Sequence, residues 1–273
     1  MAEVQQSFQS WLFWRRAGSM YPEYRQVFDN LGWNFKNNEP WEYFSIIHRI
    51  GECPFCKDIK IHLTPDGKLV NCLCATLTLL KYYEEVKADH GMEPPNKTLA
   101  QFEAYSDKQS VNAQLLSISM KIKEWVKDPS RWLLLYGTNG TGKSHLLASL
   151  YWLYEPVSIY INSSRINQTI HGLFASDERK ELAGFISAME RIPILFIDDL
   201  GMENGKEWFQ SILSNIIDVR YQHYEMYPTV ISTNMSPEHI KGENPKVSSR
   251  LADKRIVEHI SFTGLPDYRR QAQ

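Results

Sequence analysis

Beyond residue 130 the chain alternates short, almost wholly apolar runs with stretches of helix length. The runs fall at 132–136 (Trp-Leu-Leu-Leu-Tyr), 157–161 (Val-Ser-Ile-Tyr-Ile), 193–197 (Pro-Ile-Leu-Phe-Ile), 229–233 (Thr-Val-Ile-Ser-Thr) and 256–262. A strand buried on both faces shows no polar side. Continuous apolar runs therefore predict a parallel sheet covered by helices on both faces, an α/β architecture. Residues 108–127 predict a helix ahead of the first run, and 145–154 predict another after it.

Upstream the pattern changes. The stretch from Asp89 to Lys97 is polar and holds adjacent prolines at 94 and 95, which neither a helix interior nor a central strand accommodates. It predicts a linker at 91–97 between an N-terminal domain, 1–90, and a C-terminal domain, 98–273. At 273 residues there is length for two cores. An aromatic content of 12% and a hydrophobic content of 43% argue for a folded chain. No segment reaches the apolar length of a membrane span, and the first residues lack the basic-then-apolar pattern of a secretory signal, so a cytoplasmic location is expected.

Polar residues follow the apolar runs, where ligands of parallel sheets bind. After the first comes Gly137-Thr138-Asn139-Gly140-Thr141-Gly142-Lys143-Ser144, followed by His145. This is the phosphate-binding loop pattern G-x-x-x-x-G-K-[ST]. Its glycines allow the tight turn that converges backbone N–H groups on phosphates, its lysine answers the β- and γ-phosphates, and its serine supplies a hydroxyl to Mg²⁺. The third run ends in Asp198-Asp199. The first aspartate is suited to holding Mg²⁺ and the second to orienting or deprotonating the attacking water. Asn234 ends the fourth run, where its amide could polarise a γ-phosphate or serve only as a turn residue.

Charge narrows the choice of partner only slightly. Residues 1–97 carry 11 basic and 12 acidic side chains, and residues 98–273 carry 19 and 20. Neither half is a polycation, so nucleic-acid contact would depend on local clusters such as 241–270, with seven basic and four acidic residues.

The four cysteines lie within 22 residues as Cys53-x-x-Cys56 and Cys72-x-Cys74, around a segment that predicts a β-hairpin turning at Thr64-Pro-Asp-Gly67. In a reducing compartment this pattern predicts one structural Zn²⁺ held by four thiolates, with His62 or His48 as substitutes for one cysteine because the second pair is tightly spaced. The first 50 residues hold twelve of the 34 aromatics, including Trp11, Trp14, Trp33 and Trp41. Such bulk serves either a small domain's core or a protein-binding face.

Five ordered blocks carry a family resemblance over roughly 98–270: the phosphate loop through Leu146; Leu195-Phe-Ile-Asp-Asp-Leu-Gly201; Ile216-Ile-Asp-Val-Arg-Tyr221 with Pro228 to Pro237; Ser249-Arg-Leu251; and Phe262-Thr-Gly-Leu-Pro-Asp-Tyr-Arg-Arg270. The chain resembles the AAA+ ATPases of the bacterial helicase-loader group, of DnaC and DnaI type, with the IstB transposition helper as close kin. The resemblance implies that the strand ending at Asn234 lies between the Walker A and Walker B strands, making Asn234 the γ-phosphate sensor. It implies Arg250 as an arginine finger acting on a neighbouring subunit of a homo-oligomer, with Arg220 and Arg255 as competitors. It also places an extra helical segment after residue 162, where Arg165, Asn167, Arg179 and Lys180 are candidates for single-stranded DNA contact. No sensor-2 arginine is assigned, since the resemblance implies no separate helical lid of the kind larger relatives carry. The implied activity is slow, assembly-dependent ATP hydrolysis used to load a hexameric replicative helicase, docked by the N-terminal domain. The alternatives are a helper that shapes DNA for a transposase and a non-catalytic nucleotide switch, the latter because Asp199 stands where many relatives carry Glu.

Overall fold

The computed structural model describes residues 61–63, 69–71, 85–103, 109–127, 129–154, 158–201, 207–236, 239–240 and 244–270. The four cysteines, His48 and the N-terminal tryptophans lie outside them. The chain divides into two compact units, Met1–Glu85 and Val86–Gln273. In the first, β1 (Ile61–Leu63) and β2 (Leu69–Asn71) pair antiparallel with Leu63 opposite Leu69; the expected turn at 64–67 lies outside the described residues.

The second unit is built on a five-stranded parallel sheet. Its strands are β3 (Trp132–Tyr136), β4 (Ser158–Asn162), β5 (Ile194–Asp198), β6 (Thr229–Thr233) and β7 (Val257–Ser261), in the spatial order β4-β5-β6-β3-β7. All four strand pairings are parallel. Every residue of β5 and β6 is buried, which is why their sequences show no alternation. Leu134 is 0% exposed, and truncating such a residue to Ala costs about 2–5 kcal/mol.

The helices bury complementary stripes. In α1 (Leu99–Glu103) the start is fixed by a reciprocal pair: Thr98 N–H donates to Gln101 Oε1 and Gln101 N–H to Thr98 Oγ1, the two bonds of a capping box. Along α2 (Gln109–Lys127), Leu115, Ile118, Ile122 and Trp125 face the core at helical spacing. The helix ends with Trp125 Nε1 donating to Arg131 O at 2.6 Å. After β3 comes α3 (Lys143–Tyr154), buried around most of its circumference because it packs on the sheet face. Asn162 caps α4 (Ser163–Ala175) by accepting from Arg165 N–H at 2.7 Å. There follow α5 (Arg179–Arg191), α6 (Glu207–Gln222) and the short α7 (Pro245–Leu251). A 3-10 turn at Tyr268–Arg270 follows β7.

Residues 91–97, expected as a linker, run along the second unit. Met92 N–H donates to Tyr160 O of the edge strand β4 at 2.9 Å, and Trp152 Nε1 donates to Pro95 O at 3.1 Å.

Arg220, one of the arginines that sequence reasoning left as a finger candidate, is a scaffold residue. It is 0% exposed and donates to Thr229 Oγ1, Met189 O, Ile192 O and Pro228 O at 2.8–3.0 Å. A guanidinium so fully committed joins α6 to the loops entering β5 and β6.

Among the described residues no helix is long and apolar enough to cross a membrane.

Candidate nucleotide-binding site

The loop between β3 and α3 is shaped by close approaches that exclude side chains. At Gly137, with φ 140°, a Cβ would lie 2.8 Å from the carbonyl carbon of Phe262. At Gly140, with φ 74°, it would collide with the Asp267 carboxylate. The loop is thereby wedged against the segment after β7, and Tyr268 N–H donates to Gly140 O at 3.0 Å. Thr141 Oγ donates to Thr138 O, which tightens the turn from within.

Lys143 opens α3 at 4% exposure. Its ammonium donates to Gly137 O at 2.8 Å and Thr138 O at 2.7 Å. Burial lowers its pKa, while Asp199 and Asp198 oppose the shift. The charge is thus held over the loop that would receive phosphates.

Asp198 ends β5, and three hydroxyls converge on its carboxylate. Ser144 and Ser232 donate to Oδ1, the former at 3.0 Å, and Tyr160 donates to Oδ2 at 2.5 Å. Burial pushes the Tyr160 hydroxyl far above the ordinary phenol range, so it remains a donor. These groups fit Mg²⁺. They are hard oxygens, and two adjacent ligands of an octahedral ion at about 2.0–2.1 Å lie about 2.9 Å apart, close to the spacing of Ser144 and Asp198.

Asp199 turns the chain at φ 52°, a left-handed conformation that Asp tolerates better than most residues. Its N–H donates to Ser232 Oγ, Ser163 Oγ donates to its carbonyl, and Asn234 Nδ2 donates to Oδ1 at 3.4 Å. Burial raises its pKa and the Asp198 charge adds to the rise, against Lys143, Arg269 and the Asn234 bond. A half-buried carboxyl with a raised pKa is suited to accepting a proton from water. Asn234 reaches this point because β6 lies between β3 and β5, the order implied by the resemblance.

Asn139, Gly140, Gly142, Lys143, Ser144 and His145 share a cleft of about 790 Å³ with Asp198, Asp199 and Asn234. Phe102 closes one side, its ring 3.2 Å from where a Gly142 Cβ would stand and edge-on to His145 at 6.2 Å. His145 Nε2 lies 3.4 Å from Thr98 O, and burial lowers its pKa.

Sequence reasoning missed Arg269, which lines the same cleft and whose charge acts on both Lys143 and Asp199. The signal was the position of the 262–270 block. What brings it to the site is the contact of residues 267–268 with Gly140, which no local pattern encodes. Phe102, Tyr160 and Ser232 were missed for the same reason.

Other candidates stand apart. Arg250 is not among the cleft residues; its Nε donates to Asp218 Oδ1 at 2.7 Å and its guanidinium lies 5.0 Å from the Tyr221 ring centroid. Arg255 pairs with Asp253 at 2.7 Å, 86% exposed. Arg165 and Asn167 are half-buried on α4, whereas Arg179 and Lys180 are exposed at the start of α5, where Arg179 pairs with Asp177. Nearby, Phe174 is 73% exposed and stacks on Trp208 at 6.3 Å and 19°.

Known proteins resemble this chain in sequence and in fold. An insertion-sequence ATP-binding protein of Sinorhizobium fredii is 26% identical over 182 residues, 66% of this chain and 59% of that protein. The replicative helicase loader DnaI of Bacillus subtilis is 26% identical over 149 residues, 49% of this chain and 44% of that protein. The chain thus spans less than two thirds of the length of either relative. The solved AMPPCP-bound DnaA of Aquifex aeolicus superposes with a TM-score of 0.51 at 19% identity, covering 62% of this chain and 51% of that one, and shares its fold. Residues 97–258 match the bacterial DnaA ATPase domain, and the chain belongs to that AAA+ family.

Proposed function

We propose that residues 98–273 bind ATP with Mg²⁺ and hydrolyse it, and that the whole chain couples this cycle to loading a replicative hexameric helicase onto single-stranded DNA. The observation that carries the nucleotide reading is the meeting of Lys143, Ser144, Asp198, Asp199 and Asn234 around one cleft. Lys143 and the loop amides bind the triphosphate. Ser144 and Asp198 hold Mg²⁺, which when bound draws charge from the phosphates. Asp199 orients the attacking water and takes its proton, while Asn234 positions both water and γ-phosphate. Arg250 acts in the site of the next subunit of a homo-oligomer, which agrees with its place outside its own cleft.

On this reading the N-terminal domain is an adaptor folded around Zn²⁺ at Cys53, Cys56, Cys72 and Cys74, and it docks the helicase. Arg165, Asn167, Arg179 and Lys180 contact single-stranded DNA, with the exposed Phe174 face available for base stacking. Support for loading comes from the DnaI relative. A second reading, a helper to a transposase, has its own support: the alignment to the insertion-sequence protein extends over more of both chains.

Affinity capture of the full chain from its source cell, with ATP and a non-hydrolysable analogue, separates the two. Recovery of a replicative helicase is expected. Recovery of a transposase without a helicase would overturn loading in favour of the helper.

A further inference from the structure

We propose that Tyr160 is the positioning residue that sets how tightly the nucleotide site holds Mg²⁺, acting through Asp198. This rests on the nucleotide reading above, and it concerns a residue outside the motifs that define that reading.

Tyr160 lies on β4, and in the register of the sheet it sits opposite Phe196, two residues before Asp198. Its side chain therefore crosses diagonally to the end of the neighbouring strand. The ring is fixed on this course: Tyr160 is 5% exposed and meets Tyr151 of α3 edge-on at 5.8 Å. Its backbone is fixed too, since Tyr160 O accepts from Met92 N–H. The phenol thus arrives at Asp198 Oδ2 already oriented, at little entropic cost.

What this does follows from counting lone pairs. A carboxylate offers about four acceptor sites, and here three hydroxyls from three elements occupy it. Ser144 comes from α3, Ser232 from β6 and Tyr160 from β4. Ser144 is itself a metal donor, so on loading its oxygen turns to the cation. Ser232 shares Oδ1, the oxygen that faces the loop. Tyr160 alone among the three holds Oδ2, and holding that oxygen stops the carboxylate from rotating about its Cβ–Cγ bond. Oδ1 is then presented toward Ser144 before any cation arrives. Partners that orient a metal-binding carboxylate typically matter by about 10–100-fold in metal affinity.

The test is fluorescent-ATP binding to the full chain, titrated against free Mg²⁺, in the parent and in Tyr160→Phe, which keeps the packed ring. The half-saturating Mg²⁺ concentration is expected to rise about 10–100-fold, with affinity for ATP in EDTA unchanged. In an Asp198→Ala background the same substitution should change nothing further, because the group the phenol holds is gone. Unchanged Mg²⁺ dependence, or an equal loss of affinity with and without Mg²⁺, would overturn the proposal. Failure of the parent to bind ATP at all would overturn the nucleotide reading itself and this inference with it. As a readout that leaves ring and hydroxyl in place, 3-fluorotyrosine at position 160 should give a fluorine resonance that moves more on adding Mg²⁺ and ATP than on ATP in EDTA. Equal movement in the two would count against it.

Discussion

The Asn234 amide lies 3.4 Å from Asp199 Oδ1, joining the residue after β6 to the residue after β5 across the strand boundary. The pair can hold a water between an amide and a carboxylate. Asp199→Asn is expected to retain ATP binding and to lower hydrolysis about 100-fold or more, the usual range for removing a positioned base. Phosphate release measured at saturating ATP checks it. Turnover equal to the parent's would move the chemistry away from Asp199.

Lys143 places its charge on the loop through two carbonyls. Replacing it with Ala removes a charge-assisted contact worth about 2–3 kcal/mol, so Kd for ATP should rise about 30–150-fold. Anisotropy of a labelled nucleotide gives the number, and a thermal melt confirms that the variant folds.

The raised pKa of Asp199 has a consequence for stability in the nucleotide-free protein. The folded state binds this proton more tightly than the unfolded chain. The resulting contribution is complete below the ordinary carboxylate range and is lost as pH rises through the raised value. Above that raised value the fold carries the charged form at a cost. Asp199→Asn should melt higher than the parent at pH 7.5, with the gap closing toward pH 4. A variant that melts lower at pH 7.5 would show that the carboxylate is net stabilising.

Arg250 offers a test of assembly. If it serves a neighbouring site, Arg250→Ala should lower hydrolysis by about 1,000-fold or more, as arginine fingers do. Mixing Arg250→Ala with Lys143→Ala subunits should restore part of it, since some interfaces regain an intact loop facing an intact arginine. No recovery in a mixture shown to co-assemble would assign Arg250 to its own subunit or to its Asp218 contact alone.

The cysteine pattern predicts about one zinc per chain by elemental analysis. Cys53→Ser should release it and leave ATP affinity within about twofold, because the two compact units meet in sequence near residue 85. Metal-free protein with an intact N-terminal unit would remove the zinc site.

Much of this site was legible because its core residues follow strands whose apolar runs are unmistakable. The loop after 132–136 and the aspartates after 193–197 can be read in one dimension, and the helix expected at 108–127 is found at Gln109–Lys127. Asn234 needed the strand order as well, which the resemblance supplied. Tyr160, Ser232, Phe102 and Arg269 were not legible. Phe102, Tyr160 and Arg269 reach the cleft, and Ser232 reaches Asp198, through packing between distant segments, and a tyrosine in a buried run such as Ser158–Asn162 looks like any other core residue. Arg220 marks the opposite failure: its charge suggested chemistry, and its total burial gives it to the scaffold.

The amide of Met92 on the outer side of β4 also bears on where this protein can be cut. A sheet edge with unpaired carbonyls is a template for another chain, and the segment before Lys97 covers part of this one. Val86 is 7% exposed and His90 meets Phe185 of α5 edge-on at 5.3 Å, so the residues just upstream are anchored to the same unit. A fragment beginning at residue 98 would keep every motif yet bare that edge, inviting intermolecular strand addition during expression. One beginning at 86 would keep its own guard.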